Sequence, residues 1–138
     1  MDREDRMSEL FDDLLRENRP MGQQREVVKP EIKKVPFAVN EAINGLRGNV
    51  QLSGNNIKAV AVTSSIAHEG KSSIAFRLAK SMASLEKRVL YLDGDIRNST
   101  MQARYNIVGE KVGLSEFLCG EVSKEKIIYH TNDPWLDM

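Results

Sequence analysis

A three-layer α/β/α fold around a parallel sheet, preceded by a separate amphipathic helix, is what this sequence predicts, and two observations carry the prediction. The first is the succession "IKAVAVTS" (57–64), "KSSIAFRLAKSMASLEK" (71–87) and "RVLYLDGD" (88–95), in which a β-branched run, a stripe of helical period and a second apolar run follow one another. Strand, helix and strand in that order form a βαβ unit, with parallel strands and a right-handed crossover. The second is that both runs are almost continuously apolar rather than alternating, as strands covered on both faces are.

Residues 1–17 carry Met7, Leu10, Phe11, Leu14 and Leu15 at spacings of three and four on a charged background, which predicts one amphipathic helix. Such a stripe serves equally to dock on a partner or to pack on its own domain. Residues 18–36, "NRPMGQQREVVKPEIKKVP", lose the period, hold three prolines and turn basic, so they read as a linker. The compact domain is then expected over 37–138. "FAVNEAINGLRGNV" (37–50) is a helix with Val39, Ala42, Ile43, Leu46 and Val50 on one side. The next helix, 71–87, should face inward through Ile74, Leu78, Ala79 and Met82. Beyond 95, "STMQARYN", "GLSEFLCG" and "SKEKIIYHT" read as short helices separated by glycines, and "NDPWLDM" turns at Asp133-Pro134 into an apolar segment. Two complete strands and a stub make a small parallel sheet, so the expectation is the front part of a larger domain, incomplete at its C-terminus.

Bulk composition narrows the function. A chain of 138 residues, 29% charged and 41% hydrophobic, is one small folded domain. Its 20 Lys and Arg balance its 20 Asp and Glu, which argues against nucleic acid or an anionic membrane as a bulk partner and leaves any anion site local. A lone cysteine, Cys119, excludes an internal disulfide and is expected to be a small core residue. With no apolar leader and no 18-residue apolar run, neither a signal peptide nor a membrane span is expected, which points to the cytoplasm.

The chemistry concentrates in "SSIAHEGKSS" (64–73). Gly70, Lys71 and Ser72 stand as in a GxxxxGK[ST] phosphate loop, while Ser65 holds the place of the first glycine. Such a loop, curled between a strand end and a helix start, aims backbone N–H groups at phosphates, and the helix dipole adds positive potential. Lys71 would bring a point charge to the terminal phosphates, and Ser72 a hydroxyl to Mg²⁺, a hard ion that takes oxygen ligands. His68 stands where glycine would take a positive φ, a region histidine visits more readily than most residues. Downstream, "VLYLDGDIRNS" ends an apolar strand on Asp93 and Asp95. In extended chain that spacing puts both carboxylates on one face, at the strand end that borders the phosphate loop of a parallel neighbour. There they would hold Mg²⁺ through water and accept a proton from an attacking hydroxyl. Arg97 adds a guanidinium suited to phosphate.

These motifs together resemble the bacterial tyrosine kinases (BY-kinases) of capsular and exopolysaccharide synthesis, the CpsD/CapB type, whose pattern is SSxPGEGKS followed by a strand ending DxDxR. Ser64, Ser65, Glu69, Gly70, Lys71, Ser72, Asp93, Asp95 and Arg97 match it, and "NVQLSGNNIKAVAVTSS" and "GLSEFLCGEV" look like the same family, so the resemblance covers about 37–138. It implies a P-loop NTPase fold and an ATP-dependent autokinase that phosphorylates a C-terminal tyrosine cluster in trans within a ring of subunits. It also implies a cytoplasmic chain recruited to the inner face of the plasma membrane by an adaptor of the polysaccharide co-polymerase class. On this resemblance Ser65, Glu69, Gly70, Lys71, Ser72, Ser73 and Arg97 bind the nucleotide, Ser72 and Asp93 hold Mg²⁺, and Lys71, Asp93 and Asp95 form the catalytic set, with Asp95 assisting the tyrosine hydroxyl. The family's subunit-contact pattern ExxRxxR survives in "EAINGLR" as Glu41 and Arg47, with Asn44 in place of the middle arginine.

Further departures set the remaining expectations. Ala67 and His68 replace the family's Pro-Gly. The third acidic motif, a strand ending DxPP, and the C-terminal tyrosines do not occur in these residues, and Tyr91, Tyr105 and Tyr129 are scattered. The expected product is a truncated form that binds nucleotide weakly and is weakly active or inactive. Two other readings stand beside it. One is a non-catalytic module whose first helix docks on a kinase or co-polymerase complex. The other is a ParA/MinD-type ATPase, disfavoured because Ile66 stands where that class has a second lysine.

Overall fold

The computed structural model describes residues 1–15, 27–97, 99–109 and 111–138. Along them run α1 (Arg3–Leu15), β1 (Val27–Val28), α2 (Phe37–Leu52), α3 (Lys71–Ala83), β2 (Val89–Leu90), α4 (Met101–Arg104), α5 (Leu114–Leu118), α6 (Lys124–Ile127), β3 (His130–Thr131) and β4 (Leu136–Asp137). The class is mixed α/β. The chain divides into two compact units, one of residues 1–31, 93–132 and 138, the other of 32–92 and 133–137.

In the first unit, α1 is the expected amphipathic helix. Its start is fixed locally: Asp2 Oδ1 accepts a hydrogen bond from the Asp5 amide at 2.9 Å, and Glu4 and Asp5 complement the dipole in the first turn. Its stripe is used internally. Leu10, 1% exposed, packs with Phe117 of α5 and Ile127 of α6, surrounded by Met7, Leu14, Leu114, Leu118, Val122 and Ile128. Lys124 of α6 forms an ion pair with Asp13, and lies 3.8 Å from Glu9. α1 therefore packs on its own unit through Leu10, while Phe11 of the same stripe is 40% exposed.

Two expectations fail in this unit. Of the predicted linker, residues 18–26 lie outside the described residues. Val27 and Val28, however, form β1, which pairs in parallel with β3, Val27 opposite His130 and Val28 opposite Thr131. Val28 is buried, and its carbonyl accepts from the Asn132 amide at 3.1 Å. Consecutive β-branched residues with a partner strand override the proline-rich context. Cys119 is exposed rather than buried. It follows the last residue of α5, and Phe117 takes the inward position two residues earlier.

In the second unit, α2 packs along α3 and buries Ile43. The inward face of α3 consists of Phe76, Leu78, Ala79 and Ala83. Leu78 and Ala79 agree with the expected face, but Ile74 is 42% exposed and Phe76 is the centre, 0% exposed. Phe76, Ala79 and Ala83 share one side of the helix at spacings of three and four; Leu78 is buried outside that series, and Ile74, one turn before it, is not. Phe76 meets Tyr91 edge to face, ring centroids 5.1 Å apart at 83°. β2 pairs in parallel with β4, Val89 opposite Leu136 and Leu90 opposite Asp137, and amides of Val89 and Tyr91 donate to carbonyls of Trp135 and Asp137 at 2.8 Å. The predicted strand 88–95 is thus real and parallel but contracts to two residues.

The predicted strand 57–64 is not found. No strand is assigned there, and Ile57 and Val60 are 44% and 51% exposed. A β-branched run is strand-forming only against neighbours that cover its faces and take its backbone hydrogen bonds. No helix among the described residues is long and apolar enough to cross a membrane.

Candidate nucleotide site

The loop before α3 is shaped by two left-handed residues, His68 (φ 65°) and Gly70 (φ 83°, ψ 12°). Glycine takes that conformation without cost, whereas histidine holds it against steric strain. Ser64 Oγ donates to the Ile66 carbonyl at 2.8 Å, and the Ile66 amide donates to Glu69 Oε2 at 3.4 Å, so the loop's only acidic side chain turns back onto its own backbone. Gly70 is the N-cap of α3, and its carbonyl accepts the first helical bond, from the Ile74 amide at 3.0 Å. No side chain caps this helix. Lys71, Ser72 and Ser73 occupy its first turn and are half-buried, whereas Ser65 and Glu69 are exposed. An uncapped first turn entered through a left-handed glycine is the arrangement a phosphate completes.

Asp93, Asp95 and Arg97 belong to the other compact unit. Asp93 is half-buried, and both of its oxygens accept hydrogen bonds: Oδ1 from the Asp95 amide at 3.1 Å and Oδ2 from Ser99 Oγ at 2.7 Å. The Ile96 amide donates to the Gly94 carbonyl at 3.0 Å. Residues 93–97 are therefore a turn clipped by the Asp93 carboxylate, rather than the extended strand end that would set both carboxylates on one face. The cause is local: an aspartate that accepts from the amide two residues on, followed by glycine, stabilises a turn. Asp95 and Arg97 are exposed.

Glu41 and Arg47 lie on α2. Arg47 Nη1 donates to the carbonyl and hydroxyl of Ser81 on α3, at 3.1 and 3.0 Å. Ser81 Oγ donates to Asn44 Oδ1 at 3.1 Å, and Asn44 Nδ2 to Glu41 Oε1 at 3.3 Å. Asn44, which takes the place of an arginine in the expected pattern, is thus one link in a polar chain between two helices. Sequence reading passed over Ser81 and Ser99. Ser81 carried no separate signal, while Ser99 ends the quoted run "DIRNS" and was legible only as a hydroxyl near the aspartates.

Among the described residues no group of three His, Cys, Asp or Glu side chains is placed to hold a metal. Mg²⁺ bound largely through water and phosphates needs no such cluster, and the Asp93 carboxylate, each of whose oxygens accepts one hydrogen bond, is a hard oxygen donor of the kind it takes. Tyr91 and Tyr105 are buried, and the Tyr129 hydroxyl donates to the Val112 carbonyl at 3.0 Å.

Several curated proteins are similar to this chain. Tyrosine-protein kinase CpsD of Streptococcus agalactiae is 35% identical over 111 residues, 80% of this chain and 48% of that protein. Tyrosine-protein kinase CpsD of Streptococcus pneumoniae is 36% identical over 102 residues, 72% of this chain and 45% of that protein. Tyrosine-protein kinase YwqD of Bacillus subtilis (strain 168) is 32% identical over 127 residues, 90% and 52% respectively. The chain spans about half the length of these relatives. No model of a protein family matches it, and no solved structure does.

Proposed function

Because the chain belongs to the bacterial tyrosine kinases of the CpsD type, we propose that it carries the nucleotide loop of an ATP-dependent protein-tyrosine kinase serving capsular or exopolysaccharide synthesis. The observation that carries the proposal is the uncapped N-terminus of α3, entered through left-handed Gly70 and opening on Lys71 and Ser72. The proposed fold is the three-layer P-loop NTPase arrangement.

In this reading the amides of residues 70–73 bind the ATP phosphates and Lys71 neutralises them. Ser72 and Asp93 would hold Mg²⁺, which when bound offsets the charge on the transferring phosphoryl group. Asp95 takes the proton of the attacking tyrosine hydroxyl, and Arg97 pairs with phosphate. The acceptor tyrosine comes from outside the described residues, because Tyr91 and Tyr105 are buried and the Tyr129 hydroxyl is engaged. The setting we propose is cytoplasmic, beside a membrane adaptor of the co-polymerase class, with Glu41 and Arg47 on the face that meets a second subunit.

Affinity for nucleotide is proposed to be weak. Glu69 already occupies the Ile66 amide, and the segment 57–64 that leads into the loop is not anchored in a ladder. Incubation with labelled ATP and an exogenous tyrosine polymer tests the kinase reading: labelled phosphotyrosine that disappears in Lys71→Ala supports it. Transfer that persists in Lys71→Ala refutes it. A non-catalytic module that modulates a kinase or adaptor complex predicts no transfer from any form of the chain.

A further inference from the structure

We propose that Ser99 is a positioning residue for Asp93, fixing the carboxylate that meets the hydrated Mg²⁺ ion. The inference rests on the metal role given to Asp93 under the proposed function and goes beyond it, since nothing in the motif patterns singles out residue 99.

A free aspartate rotates about two side-chain torsions, and a cation that keeps most of its water, as Mg²⁺ does, gains little from a carboxylate it must first immobilise. Here the ends of the Asp93 carboxylate are held separately. The Asp95 amide fixes Oδ1, and the Ser99 hydroxyl fixes Oδ2 with the shorter contact, 2.7 Å against 3.1 Å. A hydroxyl donating to an ionised oxygen is among the stronger side-chain hydrogen bonds. Each carboxylate oxygen can still accept from a metal-bound water, because one donor leaves lone-pair capacity on it.

Without that hydroxyl, Oδ2 is free to turn and only the backbone contact remains. Outer partners that orient a metal-bound ligand are generally worth 10- to 100-fold in metal affinity when removed, and this partner is exposed, so a loss near the lower limit, ~10-fold, is expected.

The test uses the full chain, saturated with ADP and titrated with Mg²⁺, with amide shifts of residues 93–97 followed by NMR. Mn²⁺ substitution reports proximity through line broadening. Ser99→Ala should weaken apparent Mg²⁺ affinity by ~10-fold and reduce Mn²⁺ broadening at Asp93, while metal-free ADP affinity stays at the wild-type value. Ser99→Thr keeps the hydroxyl and should restore both readouts. Asp93→Asn serves as the reference for loss of the metal. Unchanged Mg²⁺ affinity in Ser99→Ala, with a loss in Asp93→Asn, overturns the inference alone. Unchanged affinity in Asp93→Asn overturns the metal reading and the inference with it. An equal loss in Ser99→Ala and Ser99→Thr also overturns it, since a structural disturbance rather than the hydroxyl would then be responsible.

Discussion

Residues 57–64 and the helix α3 are neighbours in sequence and alike in apolar content, yet the structure treats them oppositely. α3 places Phe76 at 0% exposure against Tyr91 and buries Leu78, Ala79 and Ala83, whereas the run "IKAVAVTS" leaves Ile57 and Val60 about half exposed and takes part in no strand. The difference follows from where each element finds its hydrogen bonds. A helix satisfies its backbone within itself and needs one packed face. A parallel strand needs neighbours on its edges as well as cover on its faces. The phosphate loop joins the two regions, so it hangs between a firm support on one side and a loose one on the other.

The sharpest way to break that contrast is mutation of the firm side. Phe76→Ala should cost ~3–5 kcal/mol by loss of apolar contact and cavity formation, measured by urea unfolding; a loss comparable to that of an exposed residue would show that α3 is not the anchor. The polar link between α2 and α3 should matter less. Arg47→Ala removes two hydrogen bonds from a charged donor and is expected to cost ~1–3 kcal/mol, while Ser81→Ala removes one acceptor of Arg47 and the bond to Asn44 but leaves the Ser81 carbonyl to Arg47, and should cost less. His68→Gly relieves left-handed strain but adds freedom to the unfolded chain, so the net change in stability should stay within ~1 kcal/mol. On the loose side, Val60→Thr should change stability by no more than ~0.5 kcal/mol. Amide exchange sharpens the same comparison without mutation: residues 76–83 should be protected and 57–64 should exchange quickly. Protection of 57–64 equal to that of α3 would remove the distinction.

Much of this was legible in the sequence, for reasons that differ by element. α1, α2 and α3 follow from helical periodicity, which is local, and the short helices after 95 from their glycine boundaries, except that the last of them ends at Ile127 and its His130 and Thr131 form β3. His68 could be assigned positive φ because the residue types that tolerate it are few. What escaped depended on partners distant in sequence. β1 needed His130–Thr131 to become a strand, and 57–64 needed neighbours that it does not find. The Asp93–Asp95 pair was read as strand because its spacing has an extended meaning, but Gly94 and the Asp93 side chain make a turn instead. The motif located Lys71 and Ser72 at the helix start correctly. The hydroxyls of Ser81 and Ser99, which fix Arg47 and Asp93, carry no sequence pattern, because any surface serine looks the same before the chain is folded.

Titration of the full chain with Mg-ATP, followed by NMR so that weak binding is measurable, and repeated with Lys71→Ala, tests most directly whether the loop at 64–73 is a nucleotide site. The account predicts saturable binding weaker than micromolar, with the largest shifts at residues 70–73, and its loss in Lys71→Ala. Equal binding by wild type and Lys71→Ala, or shifts that avoid residues 70–73, would contradict it.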